Sequence, residues 1–534
     1  MSSLYATSLA TLEQRLGPLS SEESPLGQQA TLSRDESETF PAEALEALRA
    51  HGVPELLTPA LEGGQFVSFE GALAVALTLA RRDPAVALSQ GMQCWLWLAW
   101  MAGSPEQRAR ARALPKDNAA PCFAASEATH GADLLATETL ALRKGESWEI
   151  TGEKWPIGRA SHAAFAFVLA RTRPAPGPRS LSWFLVELDQ PAVTRLPKAR
   201  TVGLRASDLS GLRFVRAAAS PVGGEGQGLE LTLKIFQLTR PLMAGLGLGT
   251  GDTTLRVATR FALERQLYRA TAASLPSVRK LLVGAWLRLL AAEILLLSSV
   301  RVLHASPEQA SLTSPLVKAV APALVEQAIR AATTVLGARS FLREGPTSLF
   351  QKMARDHAAV GLIDGSEPVC LHALAAELPQ VLSRNAGTSS ALRSRFCLEE
   401  PVQPFVPDRL ELTARGADDV TAELPPELIT AWNRLRQSGE ESLRGPSRLE
   451  FARQYGLLHA AAACFHFEHF NPHLALCRAG VPALAGRLLL DPDALPDSAC
   501  QQLFDRMAER IEGEHLLSVT DVATGPASKT ALVG

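Results

Sequence analysis

The stretch Cys122-Phe-Ala-Ala-Ser126-Glu127-Ala-Thr-His-Gly131-Ala132-Asp133 marks the point at which the periodicity of the sequence changes. Upstream of it, residues 41–114 carry apolar side chains at helical spacing. Downstream, residues 137–142 and 148–151 alternate on either side of a glycine-containing turn, which is typical of paired strands. The stretch therefore opens a small β domain that follows a helical one.

Helical spacing returns after the β domain and continues over most of the remaining chain. Long helices with short connections, the pattern of an antiparallel bundle, are predicted at residues 228–266, 275–302, 314–336 and 349–361. We therefore predict a mainly α protein with a central β domain. Its predicted segments are a flexible lead-in (1–38), an N-terminal helical domain (39–120), a middle β domain resembling a barrel (121–222), a C-terminal four-helix bundle (223–385) and an appended helical domain (386–534).

Length and composition describe a multidomain globular protein. The chain has 534 residues, of which 46% are hydrophobic and 20% charged, and its formal net charge is -2. This balance gives no electrostatic reason to expect a nucleic acid as a partner. The 7 cysteines are scattered without metal-finger spacing, and the N-terminus has no basic start followed by an apolar run. We therefore predict a cytoplasmic protein without a signal peptide.

The most apolar stretch, residues 281–303, is long enough to cross a membrane. It contains Arg288, Glu293 and Arg301, whose charges are costly in hydrocarbon. A buried bundle helix explains this stretch better than a membrane span.

Two further patterns resemble ligand sites. The run Gly245-Leu-Gly247-Leu-Gly249-Thr-Gly251 resembles a dinucleotide loop, but no strand precedes it, so small residues that let helices approach closely are the better account. The one cluster with possible metal spacing consists of His466, Glu468, His469 and His473. A proline at 472 interrupts the turn between the last two histidines, so no metal site is predicted.

The opening stretch resembles the acyl-CoA dehydrogenase signature, usually written aromatic-x-x-Thr-Glu-Pro-Gly-x-Gly-Ser-Asp. The resemblance continues in order over residues 40–380, about two thirds of the chain. The further matching segments are Ile150-Thr-Gly-Glu-Lys154-Trp-Pro-Ile-Gly158, Gly203-Leu-Arg-Ala-Ser207-Asp208, Gly224-Glu-Gly-Gln-Gly228, Thr239-Arg240-Pro241, Glu264-Arg265-Gln-Leu-Tyr268, Leu336-Gly337, Arg355-Asp356 and Ile363-Asp364-Gly365-Ser366. No single segment identifies the family by itself. The occurrence of all of them in the family's order and spacing makes an accidental resemblance improbable. The chain is therefore similar to this family, with an additional C-terminal helical domain.

The resemblance implies FAD as the cofactor, lying between the β domain and the bundle. The implied cofactor-binding residues are Phe123, Ala125, Ser126, Pro156 and Gly158 in the β domain, and Arg265, Tyr268, Thr334, Gly337 and Ser366 in the bundle. Ser126 supplies a hydroxyl, although a turn hydroxyl bonding its own backbone is the alternative. Arg265 offers a planar fork for the pyrophosphate of a neighbouring subunit's FAD, which implies a homo-oligomer. Without the flanking match, a surface ion pair would be the default for Arg265.

The resemblance also implies the chemistry, which is α,β-dehydrogenation of an acyl thioester. A carboxylate removes the α-proton while flavin N5 accepts the β-hydride, and both must be held close to the reacting atoms. The matching base is Asp364, where the family usually has Glu, with Arg240 beside it as the second catalytic residue. The other base position in the family is Thr239 here, which cannot take that role. Asp is about 1.5 Å shorter than Glu, and a helix cap is the alternative role for Asp364.

The implied substrate is an acyl thioester on CoA or on the pantetheine of a carrier protein, and the implied acceptor is an electron-transfer flavoprotein or a similar carrier. In related long forms, such a C-terminal helical domain covers the face where a second dimer docks, so we expect a dimer rather than a tetramer. Two alternatives stay open. Nitroalkane oxidase resembles this family and uses Asp as its base. Pro156 and Gly158 stand where the family usually has flavin-contacting side chains, which would suit a degenerate, non-catalytic scaffold.

Overall fold

The computed structural model describes residues 3–117, 119–267, 269–384 and 391–524. The described helices are α1 (Leu4–Leu16), α2 (Gln28–Ser37), α3 (Ala42–Ala50), α4 (Val53–Leu56), α5 (Phe69–Arg82), α6 (Pro84–Gly91), α7 (Trp97–Ala102), α8 (Pro105–Ala113), α9 (Gly228–Glu264), α10 (Pro276–Ala305), α11 (Ala310–Leu336), α12 (Ser348–Val360), α13 (Glu367–Ser383), α14 (Leu392–Phe396), α15 (Asp419–Ala422), α16 (Ile429–Arg444), α17 (Arg448–Phe470), α18 (Ala475–Arg478), α19 (Val481–Leu490) and α20 (Asp497–Glu512). The described strands are β1 (Cys122–Ala124), β2 (Leu140–Lys144), β3 (Ser147–Gly158), β4 (Phe165–Arg171), β5 (Leu181–Glu187), β6 (Val193–Leu196), β7 (Leu209–Val222), β8 (Gln266–Leu267) and β9 (Ala270–Thr271). The predicted order of helices, a central β domain and further helices is confirmed.

The strands β1–β7 form one sheet that closes on itself. Hydrogen-bonded neighbours follow the order β4, β2, β3, β7 and β5, and β5 pairs again with β4 to complete a ring. β1 adds to β4 in parallel, and β6 adds to β7. Apolar side chains fill the interior, among them Trp148, Ile150, Val168, Phe184 and Phe214. The predicted barrel-like middle domain is therefore present.

A two-residue turn joins β2 to β3. Lys144 pairs with Ser147 at its base, and Gly145 has a φ of 65°, which glycine adopts without steric cost. We predicted the first of these strands at residues 137–142. In the structure it runs from Leu140 to Lys144, because the ladder with β3 begins only where Leu140 meets Thr151.

The helices predicted at residues 228–266, 275–302, 314–336 and 349–361 are α9, α10, α11 and α12. Helices α10 and α11 pack along each other, and α13 also packs against α11. Among the described helices, α10 alone is long and apolar enough to cross a membrane, but 89% of its most apolar window is buried inside the protein. Its Glu293 accepts hydrogen bonds from the Tyr5 hydroxyl (2.9 Å) and the Val519 N–H (2.7 Å). The charged residues of this stretch thus have protein partners, as expected of a buried bundle helix.

The glycine run of α9 lets α5 approach closely, as predicted. A Cβ placed on Gly249 would lie 2.3 Å from the backbone nitrogen of Arg81, and one on Gly245 would lie 2.5 Å from Leu73 Cδ1. A side chain at position 249 would push the backbone of α5 away, whereas one at position 245 would displace the Leu73 side chain. The run is therefore a helix-packing feature, and the dinucleotide-loop interpretation is not needed.

The N-terminal segment differs from the flexible lead-in predicted for residues 1–38. It contains α1 and α2, and α1 buries Tyr5, Leu9 and Leu12. Glu13 of α1 is fully buried and pairs with Arg81 (2.5 Å) and Arg82 (2.7 Å). The composition of this segment is polar, but a buried carboxylate between two arginines ties it to α5.

The chain divides into two compact units whose borders differ from the predicted ones. One unit comprises Met1–Leu32, Ser68–Pro84 and Arg240–Gly534, and the other comprises Ser33–Val67 and Ala85–Thr239. Helix α5 was predicted within the N-terminal helical domain, yet it belongs with the bundle because its ion pairs and its contact with α9 lie there. The appended helices also belong to the bundle unit, where α17 contacts α13, α16 and α19.

Candidate active site

The turn that carries Asp364 lies between α12 and α13. Asp364 has a φ of 60° and Gly365 a φ of 110°, so two successive residues are in the left-handed region. Arg240 of α9 donates from Nε to the carbonyl oxygen of Asp364 (2.9 Å), and Oδ2 of Asp364 is shielded from solvent. The structure thus brings together the two residues that were predicted to be catalytic.

A second cation, which the sequence analysis missed, lies at the same turn. Lys318 of α11 is 1% exposed, and its Nζ donates to the carbonyl oxygen of Gly365 (3.0 Å). The Cys370 thiol lies 3.5 Å from the same oxygen. The available signal was a single lysine within the otherwise apolar core-facing stretch of α11.

Ser366 is the N-cap residue of α13, and its carbonyl oxygen accepts the Cys370 N–H (3.0 Å). Its hydroxyl makes no side-chain capping bond. Because Ser366 holds the N-cap position, Asp364 is not the N-cap of this helix, which was the alternative role considered for it.

The remaining predicted bundle residues are exposed at the end of α9 and α11. Arg265, Thr334 and Gly337 all have exposed side chains or backbone, and a Cβ on Gly337 would meet nothing within 4 Å. The guanidinium of Arg339 lies 5.4 Å from the ring centroid of Phe261, so the segment after α11 lies beside the end of α9. Tyr268 falls outside the described residues.

The compact unit of residues 33–67 and 85–239, called the β unit below, contains a buried ion pair beside the predicted flavin-binding residues Ala125 and Ser126. Nζ of Lys154 donates to the carbonyl oxygen of Ala125 (2.9 Å) and to Oε1 of Glu127 (2.9 Å). The Trp155 N–H donates to the carbonyl oxygen of Ser126 (3.1 Å), which brings Ser126 beside the start of the Pro156–Gly158 segment. Ser126 is half-buried, and none of the described residues offers its hydroxyl a hydrogen-bond partner.

The aromatic side chains of Trp95 and Trp183 pack against Phe123, another predicted flavin-binding residue. The ring of Phe123 stacks on that of Trp95 with 3.8 Å between centroids, and the Trp183 ring lies 4.5 Å from the Phe123 ring. Gly158 lies beside Met92, since a Cβ placed there would be 3.3 Å from the Met92 sulfur. Pro156 and Gly158 therefore present apolar surface and no polar side-chain group.

The predicted histidine cluster does not converge. His466 Nε2 contacts the Val420 carbonyl oxygen (3.2 Å), Glu468 accepts the Ala483 N–H (3.0 Å), and His473 lies near Glu399 (3.7 Å). Within the described ranges, the group whose ligand atoms lie close enough for a metal is Glu127, His130 and Glu138. Glu127 is already bound to Lys154 and to backbone N–H groups, so this group is explained without an ion.

The Glu127–Lys154 pair should stabilise the β unit at neutral pH. Burial raises the pKa of Glu127, but Lys154 and the N–H groups of Glu138 and Thr139 outweigh it and lower that pKa to about 2. Burial lowers the pKa of Lys154 to about 8, against the influence of Glu127, so both groups are charged at pH 7. We expect Glu127→Gln to reduce the free energy of unfolding by about 2 kcal/mol at pH 7, measured by urea unfolding.

The pH dependence of this loss has a defined sign. Because the folded pKa of Glu127 is depressed, its stabilisation is present above about pH 4.5 and disappears as the pH falls towards 2. The matched control is Glu149→Gln, which removes an exposed pair with Lys144 and should cost less than about 1 kcal/mol. Equal losses in the two variants, or a loss that persists at pH 2, would contradict this account.

Models of the three acyl-CoA dehydrogenase domains match the chain in order: the N-terminal domain at residues 27–116, the middle domain at 122–217 and the C-terminal domain at 226–378. Together they cover more than half of the 534 residues. The chain belongs to the acyl-CoA dehydrogenase family. It is a flavin-dependent oxidoreductase that acts on CH–CH groups.

Individual relatives agree with this assignment. The chain is 26% identical over 351 residues to the cyclohex-1-ene-1-carbonyl-CoA dehydrogenase of Geobacter metallireducens. This match covers 63% of the present chain and 90% of the Geobacter protein. Among solved structures, an acyl-CoA dehydrogenase complexed with FAD from Bacillus anthracis aligns with a TM-score of 0.69 at 15% identity, covering 96% of this chain and 88% of that one. The prolyl acyl carrier protein oxidase AnaB aligns with a TM-score of 0.63 at 19% identity, covering 71% and 99%. These two structural likenesses show the fold alone.

Proposed function

We propose that this dehydrogenase uses FAD to introduce an α,β double bond into an acyl thioester, with Asp364 as the base that takes the α-proton. The observation that carries the proposal is the anchored turn between α12 and α13. It presents a carboxylate whose Oδ2 is shielded from solvent, and Arg240 fixes the backbone behind it. A base held in one place by its own backbone can meet the short distance that proton abstraction needs.

The donor set of the β unit fits a flavin. Ser126 has a half-buried hydroxyl for which no described residue provides a partner, and Gly158 leaves room that a side chain would fill. Phe123, Ala125, Pro156 and Gly158 supply apolar surface. When bound, FAD supplies the hydride acceptor. Arg265, Tyr268, Thr334, Gly337 and Ser366 are proposed as its further contacts, and the exposure of Arg265, Thr334 and Gly337 suits contacts to the FAD of a neighbouring subunit.

We also propose a homodimer in the cytoplasm. The appended helices α17, α19 and α20 pack against α10, so that face of the bundle is covered by the chain itself. All seven cysteines are free and buried, which suits a reducing compartment. Light scattering should give twice the chain mass, and four times that mass would contradict the dimer.

The acyl group is proposed to be carried by CoA or by carrier-protein pantetheine, and the electrons to pass to an electron-transfer flavoprotein or a similar carrier. The test is turnover of purified protein with a panel of acyl-CoA and acyl-carrier thioesters and an artificial electron acceptor. We expect an enoyl thioester that has lost two mass units, measured by mass spectrometry. Absence of such a product with every thioester would contradict the proposal.

An oxidase is the second candidate, and the Asp at position 364 favours it, because nitroalkane oxidase combines this fold with an Asp base. Oxygen consumption without any added acceptor would select the oxidase, whereas dependence on the acceptor would select the dehydrogenase. Protein that retains no flavin after reconstitution with FAD would leave only the non-catalytic scaffold.

A further inference from the structure

Lys318 is a buried amine that the proposed reaction has not yet used. It lies in the middle of α11 between Val317 and Ala319, which are buried like Lys318 itself. Removing an ammonium group from water is costly unless another group compensates. A lysine at this position therefore needs a partner that repays its burial.

That partner is the turn carrying the base. Lys318 donates to the carbonyl oxygen of Gly365 (3.0 Å), and Arg240 donates to that of Asp364 (2.9 Å), so two cations hold two successive carbonyl groups. The φ of 60° at Asp364 is one that residues with a Cβ adopt at a cost of about 1 kcal/mol. The turn persists because these contacts from α9 and α11 hold its two carbonyl groups.

Among the described groups, the Asp364 carboxylate attracts the Lys318 ammonium group and the Arg240 guanidinium repels it. The described titratable groups that act on Lys318 or respond to it are Cys370 of α13, Asp364, Arg240 of α9 and His357 of α12. Burial raises the pKa of Cys370 and lowers that of His357, so the thiol and the imidazole are uncharged at pH 7. Burial also lowers the pKa of Lys318, while Cys370 and Asp364 oppose this effect.

We propose that Lys318 is a positioning residue for the base: its ammonium group anchors the Asp364–Gly365 turn and places a second positive charge beside the Asp364 carboxylate. The inference rests on the proposed function, because it assigns Lys318 a role towards the proposed base. It predicts two separable effects, one of charge and one of position.

The charge effect is tested with Lys318→Gln, which keeps a hydrogen-bond donor near Gly365 but removes the positive charge. Loss of a nearby cation disfavours the ionised carboxylate. The acidic limb of kcat/KM against pH should therefore move up by about one pH unit. Lys318→Arg keeps the charge, so the acidic limb of its kcat/KM profile should lie at the same pH as in the wild-type protein. Superimposable profiles for Lys318→Gln and wild type would overturn the charge effect.

The positional effect is tested with Lys318→Met, which removes both the charge and the donor. We expect kcat above the limb to fall at least about tenfold below that of Lys318→Gln, because small misplacements of a base are costly. KM should change less than kcat, since the turn and not the substrate is displaced. An equal kcat for the Met and Gln variants above the limb would overturn the positional effect.

A measurement without turnover separates this inference from the proposed function. The carboxyl infrared band of Asp364, isolated by subtracting the spectrum of Asp364→Asn, can be titrated in wild type and in Lys318→Gln. The band should titrate at higher pH in the Gln variant, and identical titrations would overturn the inference even if thioester turnover is found. If wild type turns over no thioester, the proposed function fails while this titration still decides the role of Lys318. Should Lys318→Gln not fold, Lys318→Arg decides: an unchanged titration supports the proposal and a shifted one overturns it.

Discussion

Replacing Asp364 with Asn is expected to lower kcat for thioester dehydrogenation by about 100- to 10,000-fold, the usual contribution of a general base. Asn has nearly the same shape as Asp and also tolerates the left-handed conformation found at Asp364, so the turn held by Arg240 should persist. What the substitution removes is the ability to accept a proton. KM should change little, because the carboxylate acts on the reacting carbon and not on the carrier.

Two further variants serve as controls for this prediction. Glu367→Gln lies three residues further on and removes an exposed pair with Arg453 (2.9 Å), so kcat should change less than about threefold. Asp364→Glu keeps a carboxylate with a longer reach and should be more active than the Asn variant. If Asp364→Asn keeps more than about a tenth of the wild-type kcat, Asp364 is not the base.

Replacing Lys352 with Met is expected to lower the free energy of unfolding by about 3–5 kcal/mol. Lys352 of α12 is fully buried, and its Nζ lies 2.8 Å from Asp83 Oδ1 and 2.6 Å from Asp356 Oδ2. Burial disfavours the charge on Lys352, but Asp356 and Asp83 outweigh it and hold the pKa of Lys352 above its ordinary value. Without the ammonium group, two carboxylates would stay buried together.

The pH at which this loss is measured matters little near neutrality. Because the folded pKa of Lys352 is raised, its stabilisation is complete below about pH 10.5 and is lost only as the pH rises through the folded value. Lys144→Met is the matched control, since Lys144 is exposed and pairs with Glu149 at the surface, and it should cost less than about 1 kcal/mol. A similar loss in both variants, measured by urea unfolding at pH 7, would show that the buried triad contributes nothing special.

The order of the domains could be predicted because it depends on local periodicity. The change of spacing at Cys122, the alternation in β3 and the long apolar faces of α10 and α11 are visible in the sequence, and the structure has strands and helices at these places. The glycine run of α9 was also interpretable, since no strand precedes it. Asp364 and Arg240 were paired only through the family resemblance, because 124 residues separate them.

What sequence reasoning missed are buried charges whose partners are distant in the chain. Lys318 and Gly365, Lys352 and Asp83, and Glu13 and Arg81 form such contacts, and no local pattern distinguishes these residues from solvated ones. The polar composition of residues 1–38 predicts a flexible lead-in, although Glu13 is fully buried and pairs with Arg81 and Arg82. The composition of the compact units could not be predicted either, because α5 packs in the unit of residues 240–534 and not with the helices that flank it in sequence.

The most direct test of the central claim is an anaerobic absorbance titration of purified protein with acyl-CoA and acyl-carrier thioesters, run side by side in wild type and Asp364→Asn. We predict a flavin band in both proteins, bleached by at least one thioester in wild type and unchanged by the same thioester in the variant. A flavin band that no thioester bleaches in wild type, or one that the variant bleaches equally fast, would contradict a thioester dehydrogenase with Asp364 as its base.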